Sequence, residues 1–133
     1  MITEISEDIE IRDEAVEGTP VDVSLDGRAF RMLSSDTSEV DAEAPTVFRY
    51  FEREGVLHGD YTGDTVIEGR FAGVREGATV RLSFNHRSTS GGLTHGNAVT
   101  VVSRTEAGAL RLTEFYRNAR GEAVMSLCEE IAD

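Results

Sequence analysis

One cysteine, two prolines, no tryptophan and no lysine stand in a chain of 133 residues. The lone Cys128 excludes an internal disulfide, which fits a reducing compartment. No apolar run reaches the length of a membrane-spanning helix. Acids stand at the N-terminus, where a secretory signal needs basic and then apolar residues. A soluble, cytoplasmic protein is expected. Positive charge is scarce too, since 13 arginines face 25 acids for a net charge of −12. Nucleic acid and anionic lipid would repel such a chain, so neither is an expected partner. The length suits one domain with one core. A Ser-His-Asp order, a phosphate-cradling loop and a dinucleotide glycine motif are all missing, and no cofactor is expected.

What is present is alternation. From Val21 to Ile131 apolar and polar residues exchange with period two, broken by turn signals every eight to twelve residues. The pattern predicts nine strands at 21–25, 28–33, 46–52, 56–62, 66–74, 79–87, 93–104, 110–117 and 122–131. No helical stretch separates them, so the pairing is antiparallel. Closure into an all-β, up-and-down barrel over residues 21–133 removes the exposed edges of such a meander. Residues 1–20 read as an acidic, flexible arm. Within it Ile2, Ile5 and Ile9 have the spacing of a short amphipathic helix.

Opposed residues of a hairpin share a face, which allows registers to be written. Asp26-Gly27 as a loop sets Val23 against Phe30 and Val21 against Met32. Glu54-Gly55 sets Phe48 against Tyr61 and Tyr50 against Gly59. A loop at 63–65 sets Tyr61 against Ile67, and one at 75–78 sets Phe71 against Leu82. A loop at 90–92 sets His86 against Gly96. A loop at 106–108 sets Thr100 against Glu114 and Ala98 against Tyr116, and one at 118–121 sets Glu114 against Met125. The turns at 26–27, 53–55, 75–78 and 105–109 then gather at one tight end. The arm, the long 34–45 loop and the turns at 63–65, 88–92 and 118–121 gather at the other, as a mouth.

The segments Asp26-Gly27-Arg28-Ala29-Phe30, Val47-Phe48-Arg49-Tyr50 and Gly59-Asp60-Tyr61-Thr62-Gly63 carry a resemblance. So do the hairpin from Ser83-Phe84-Asn85-His86 to Gly96, Arg111-Leu112-Thr113-Glu114 and Cys128-Glu129-Glu130-Ile131. Together they resemble a family of small calycin-type (lipocalin-like) bacterial β-barrel proteins of uncharacterised role, some of them labelled N-acetylglutamate synthase. The resemblance implies the barrel and not an activity. Acetyl transfer from coenzyme A calls for an αβ fold with a pyrophosphate-binding loop before a helix, and this sequence has neither.

Several polar residues fall on the inward face. Tyr61, His86 and Tyr116 lie near the mouth. Their functional reading is an imidazole that trades protons with a ligand oriented by two phenols. Their structural reading is three packed rings with polar tips turned to water or backbone. Glu114 shares a face with Leu110, Leu112 and Tyr116. A carboxylate there is either a raised-pKa acid or ligand anchor, or a brace bonded to Thr100 and Tyr50. Glu129, read as inward with Met125 and Leu127, is a structural plug at the tight end. His58 and His95 fall outside, so zinc ligation with His86 is not expected. Glu129 and Glu130 follow Cys128 and disfavour its thiolate, so a nucleophilic role is not expected.

The leading expectation is binding of a small apolar molecule in the lumen, between walls of Phe48, Tyr50, Leu57, Phe71, Leu82 and Phe84. A cofactor-free isomerase or cyclase using His86 or Glu114 is the second. A protein-interaction module using the acidic arm and loop 34–45 is the third, and a homo-oligomer is compatible with each. A lumen filled by side chains would leave only surface functions.

Overall fold

The chain's structure, a computed structural model, describes residues 9–132. The alternating segments form β2 (Ala29–Ser35), β3 (Val47–Arg53), β4 (Val56–Gly63), β5 (Val66–Glu76), β6 (Thr79–Ser88), β7 (Leu93–Arg104), β8 (Leu110–Arg117) and β9 (Ala123–Glu130). A two-residue strand, β1 (Thr19–Pro20), precedes them. Each of the eight long strands pairs antiparallel with its neighbour in sequence, and β9 returns to β2. The result is a closed eight-stranded barrel with β1 added beside the end of β7. Outside the barrel, Glu129 lies between Arg31 and Arg111 at 3.6 and 2.9 Å, across the β2–β9 closure. No helix among the described residues is long and apolar enough to cross a membrane.

Two registers stand as the pattern predicts. Glu54-Gly55 sets Phe48 opposite Tyr61, and the 105–109 turn sets Thr100 opposite Glu114. Three others slide by two residues. Tyr61 opposes Gly69, Phe71 opposes Phe84, and His86 opposes Thr94 rather than Gly96. An irregularity of β5 between Val66 and Gly69, felt against both β4 and β6, puts Val66 inside and leaves Ile67 outside, half exposed. At the 88–92 turn, Gly91 has a φ of +91°. That glycine fits the last position of a loop at 89–91, and Ser88 therefore bonds Gly92.

One register is off by an odd number. The Asn118 carboxamide accepts from the amides of Arg120 and Glu122 and so holds a five-residue loop. Glu114 therefore opposes Ser126, not Met125, and Leu112 opposes Cys128. A shift of one residue exchanges the faces of a strand. Ser126 and Cys128 point inward, and Glu129 lies on the outer face rather than plugging the lumen.

The N-terminal part differs most. Asp26-Gly27 does not form a hairpin, and residues 21–25 are not a strand. They cross the tight end of the barrel, burying Leu25 completely. Side chains meet their backbone groups: Glu52 accepts from the Leu25 amide at 2.9 Å, and Arg75 donates to the Val23 carbonyl at 2.8 Å. Arg75 and Glu52 are joined at 2.8 Å and almost wholly buried. The arm thus approaches the closed end, not the mouth. The Glu17 carbonyl accepts from Ser103, and Arg12 lies 5.8 Å from the centre of the Phe115 ring. Along this arm β7 is buried on both faces from Ala98 to Ser103. The helical spacing of Ile2 and Ile5 lies outside the described residues.

Candidate functional site

Above the core the lumen opens into a cavity of about 890 Å³ that reaches the mouth. Phe48, Tyr50, Tyr61, Phe71, Leu82 and Phe84 wall it, with His86, Glu114 and Tyr116 among them. Leu57 is the exception among the expected wall residues. It is fully buried in the core and does not line the cavity. Missed from the sequence were Met32, Thr46, Val66 and Ser126 on the wall, and on the rim Ser35 to Ser38, Thr65, Leu93 to His95, Arg117 to Arg120 and Glu122, so that His95, expected outside, lies at the rim. The even alternation of β2 could have shown Met32. Ser126 was hidden by the odd register of β9.

Glycines let the aromatic rings lie flat across the wall. A Cβ on Gly69 would stand 2.4 Å from the Tyr61 ring. One on Gly96 would stand 2.9 Å from Phe84, so the space beside Gly96 holds that ring and not the His86 imidazole. Phe48 stacks on Tyr61 at 4.9 Å, and Phe84 meets Tyr116 edge to face at 6.3 Å.

Two polar contacts occupy the upper wall. The Tyr61 hydroxyl and His86 Nδ1 are 2.9 Å apart. Burial and then the Glu114 charge raise the Tyr61 pKa, while burial lowers that of His86. A protonated phenol beside a neutral imidazole donates to Nδ1, which leaves the ring proton on Nε2. The Tyr116 hydroxyl lies 3.1 Å from Thr37 on the 34–45 loop. Asp36 fastens that loop to β9, since its amide donates to the Met125 carbonyl and its carboxylate accepts from the Met125 amide, each at 3.0 Å.

Deeper in, burial pushes the Glu114 carboxyl up to about 7, opposed by the hydroxyls of Ser126 and Thr100. The Ser126 contact is long, at 3.5 Å, and Thr100 Oγ1 makes no formed hydrogen bond. Cys128 is buried, and its thiol is pushed well up by that burial and by Glu114. His95 opposes Asn85, and His58 stacks on Phe51 outside the barrel at 5.3 Å. Among the described residues no three His, Cys, Asp or Glu side chains gather as metal ligands.

The chain matches the model of one family, described as Avidin-like protein, over residues 23–131. The chain belongs to the avidin-like family. No curated protein and no solved structure matched it. The match begins within the cap segment, so this avidin-like barrel carries its acidic arm ahead of the family region.

Proposed function

We propose that the barrel binds a small, largely apolar molecule in its cavity. One observation carries this reading: an open space of about 890 Å³ walled by aromatic rings. Eight strands enclose an interior that side chains either fill or leave for one small ligand. Here the closed end is filled and the mouth half is not, which favours a lumen function over a surface one. Membership of the avidin-like family, whose barrels bind small molecules, supports the same reading.

A second reading is favoured by Glu114. A carboxyl pushed to about 7 and facing a cavity has the proton affinity of an acid–base catalyst at neutral pH. In a cofactor-free isomerase or cyclase, Glu114 would move the proton and His86 Nε2 would polarise the substrate.

Titration with N-phenyl-1-naphthylamine, a neutral probe that fluoresces in apolar surroundings, tests the binding reading. Saturable binding is expected, lost in Met32→Trp, whose indole occupies the cavity while the barrel keeps its melting temperature. A wild-type protein that does not bind, or a folded Met32→Trp variant that binds equally, would contradict it.

A further inference from the structure

Most polar groups of the cavity wall are matched, Tyr61 to His86 and Tyr116 to Thr37. Two at the inner end are not. Tyr50 is 2% exposed and lines the cavity, yet its hydroxyl makes no hydrogen bond among the described residues. Its ring is held edge-on by Phe30 and tilted against Phe71, with centres 5.4 and 4.5 Å away. Glu114 uses Oε1 in the long contact with Ser126, the Thr100 hydroxyl acts on its carboxyl without forming a hydrogen bond, and Oε2 makes no hydrogen bond among the described residues. The two side chains are near enough that the Glu114 charge adds to burial in keeping the Tyr50 phenol protonated. An unpaired donor and an unpaired acceptor therefore both face the cavity. Leaving both unbonded is costly, and a polar guest relieves the cost.

We infer that Tyr50 and Glu114 form an anchor for a hydroxyl group at the buried end of an otherwise apolar ligand. The Tyr50 O–H donates to the hydroxyl oxygen, and the hydroxyl proton is donated to Glu114 Oε2. One hydroxyl satisfies both groups because it accepts and donates at a single atom. An ammonium bonds Glu114 but leaves the Tyr50 proton without an acceptor, a carboxylate meets the Glu114 charge above pH 7, and a hydrocarbon end leaves both unbonded. This assignment rests on the binding reading above and narrows it to phenols and alcohols with an apolar body.

Three probes of one shape test it on the full chain by calorimetry at pH 8: 2-naphthol, 2-methylnaphthalene and 2-naphthoate. The expected result is 2-naphthol binding about tenfold or more tighter than 2-methylnaphthalene, with 2-naphthoate weakest. Tyr50→Phe keeps the ring and its packing, Glu114→Leu removes the acceptor, and each should erase the preference for 2-naphthol. Equal affinity for 2-naphthol and 2-methylnaphthalene, or a preference that survives both substitutions, would overturn the anchor and leave lumen binding standing. Failure of all three probes while N-phenyl-1-naphthylamine binds would also overturn the anchor. Failure of all four would overturn the binding reading with it.

Discussion

Glu114 and Glu52 are two buried carboxyls of the same chain with opposite electrostatics. Glu114 has one long hydroxyl contact and no cation beside it among the described residues, and burial raises its pKa from 4.5 to about 7. For Glu52 burial also acts upward, but the Arg75 hydrogen bond, the Leu25 amide and the Arg75 charge outweigh it, and its pKa falls. The signs follow from linkage. The favourable share from Glu114 is fully present below its unfolded pKa and is lost as pH rises through about 7. The share from Glu52 is present above its unfolded pKa and is lost as pH falls through its lowered one. Glu114→Gln should therefore be more stable than wild type at pH 8, by up to about 3 kcal/mol, and equal to it near pH 4. Urea denaturation at both pH values measures this. A variant less stable than wild type at pH 8 would contradict it. Alternation alone placed Glu114 inside, because a polar residue among Leu110, Leu112 and Tyr116 is visible in the sequence. The Glu52–Arg75 pair was not visible, because it joins β3 to β5 and serves backbone groups of residues 23 and 25.

At the scale of strands and loops, parity decides what can be read. Sliding the hairpins of β4 to β7 by two residues changes which side chains touch but, away from the β5 irregularity at Val66 and Ile67, not which face they occupy. Tyr61, His86, Phe84 and Leu82 therefore reached the lumen despite inexact registers. The loop before β9 is one residue longer than its turn signal implied, and that exchanged Ser126 and Cys128 for Met125 and Leu127. The 34–45 loop buries little and is fastened to the barrel by Asp36 at Met125 and by the Asp41 amide on Asp64. Between those points residues 38–40 make no backbone hydrogen bond among the described residues. Hydrogen exchange should be fast at 38–40 and slow at 79–87, and Asp36→Ala should speed exchange at the Met125 amide without touching 79–87. Protection at 38–40 equal to that of 79–87 would contradict a mobile rim between the two fastenings.

For the whole molecule, the two ends of the barrel have separate tasks. The closed end is sealed by residues 21–25, with Leu25 in the core and Arg75 on Glu52 beneath the cap. The sequence suggested a hairpin there because Asp-Gly is a strong turn pair. The backbone instead turns once, Arg28 bonding the Leu25 carbonyl, and passes to β2. The strand 21–25 was lost to that competing arrangement, since Val21 bonds Val102 on β7 rather than β2. The mouth half keeps its space because the rings of Tyr61 and Phe84 lie over glycines instead of filling the axis. The account's central claim is that this space receives the ligand. Aromatic carbon–proton spectra of a Phe- and Tyr-labelled sample, recorded with and without N-phenyl-1-naphthylamine, test it most directly. Shifts at Phe84, Tyr61 and Tyr116, with Phe51 and Phe115 unmoved, are the predicted result. Shifts confined to the outward-facing Phe51 and Phe115, with the cavity rings unmoved, would contradict it.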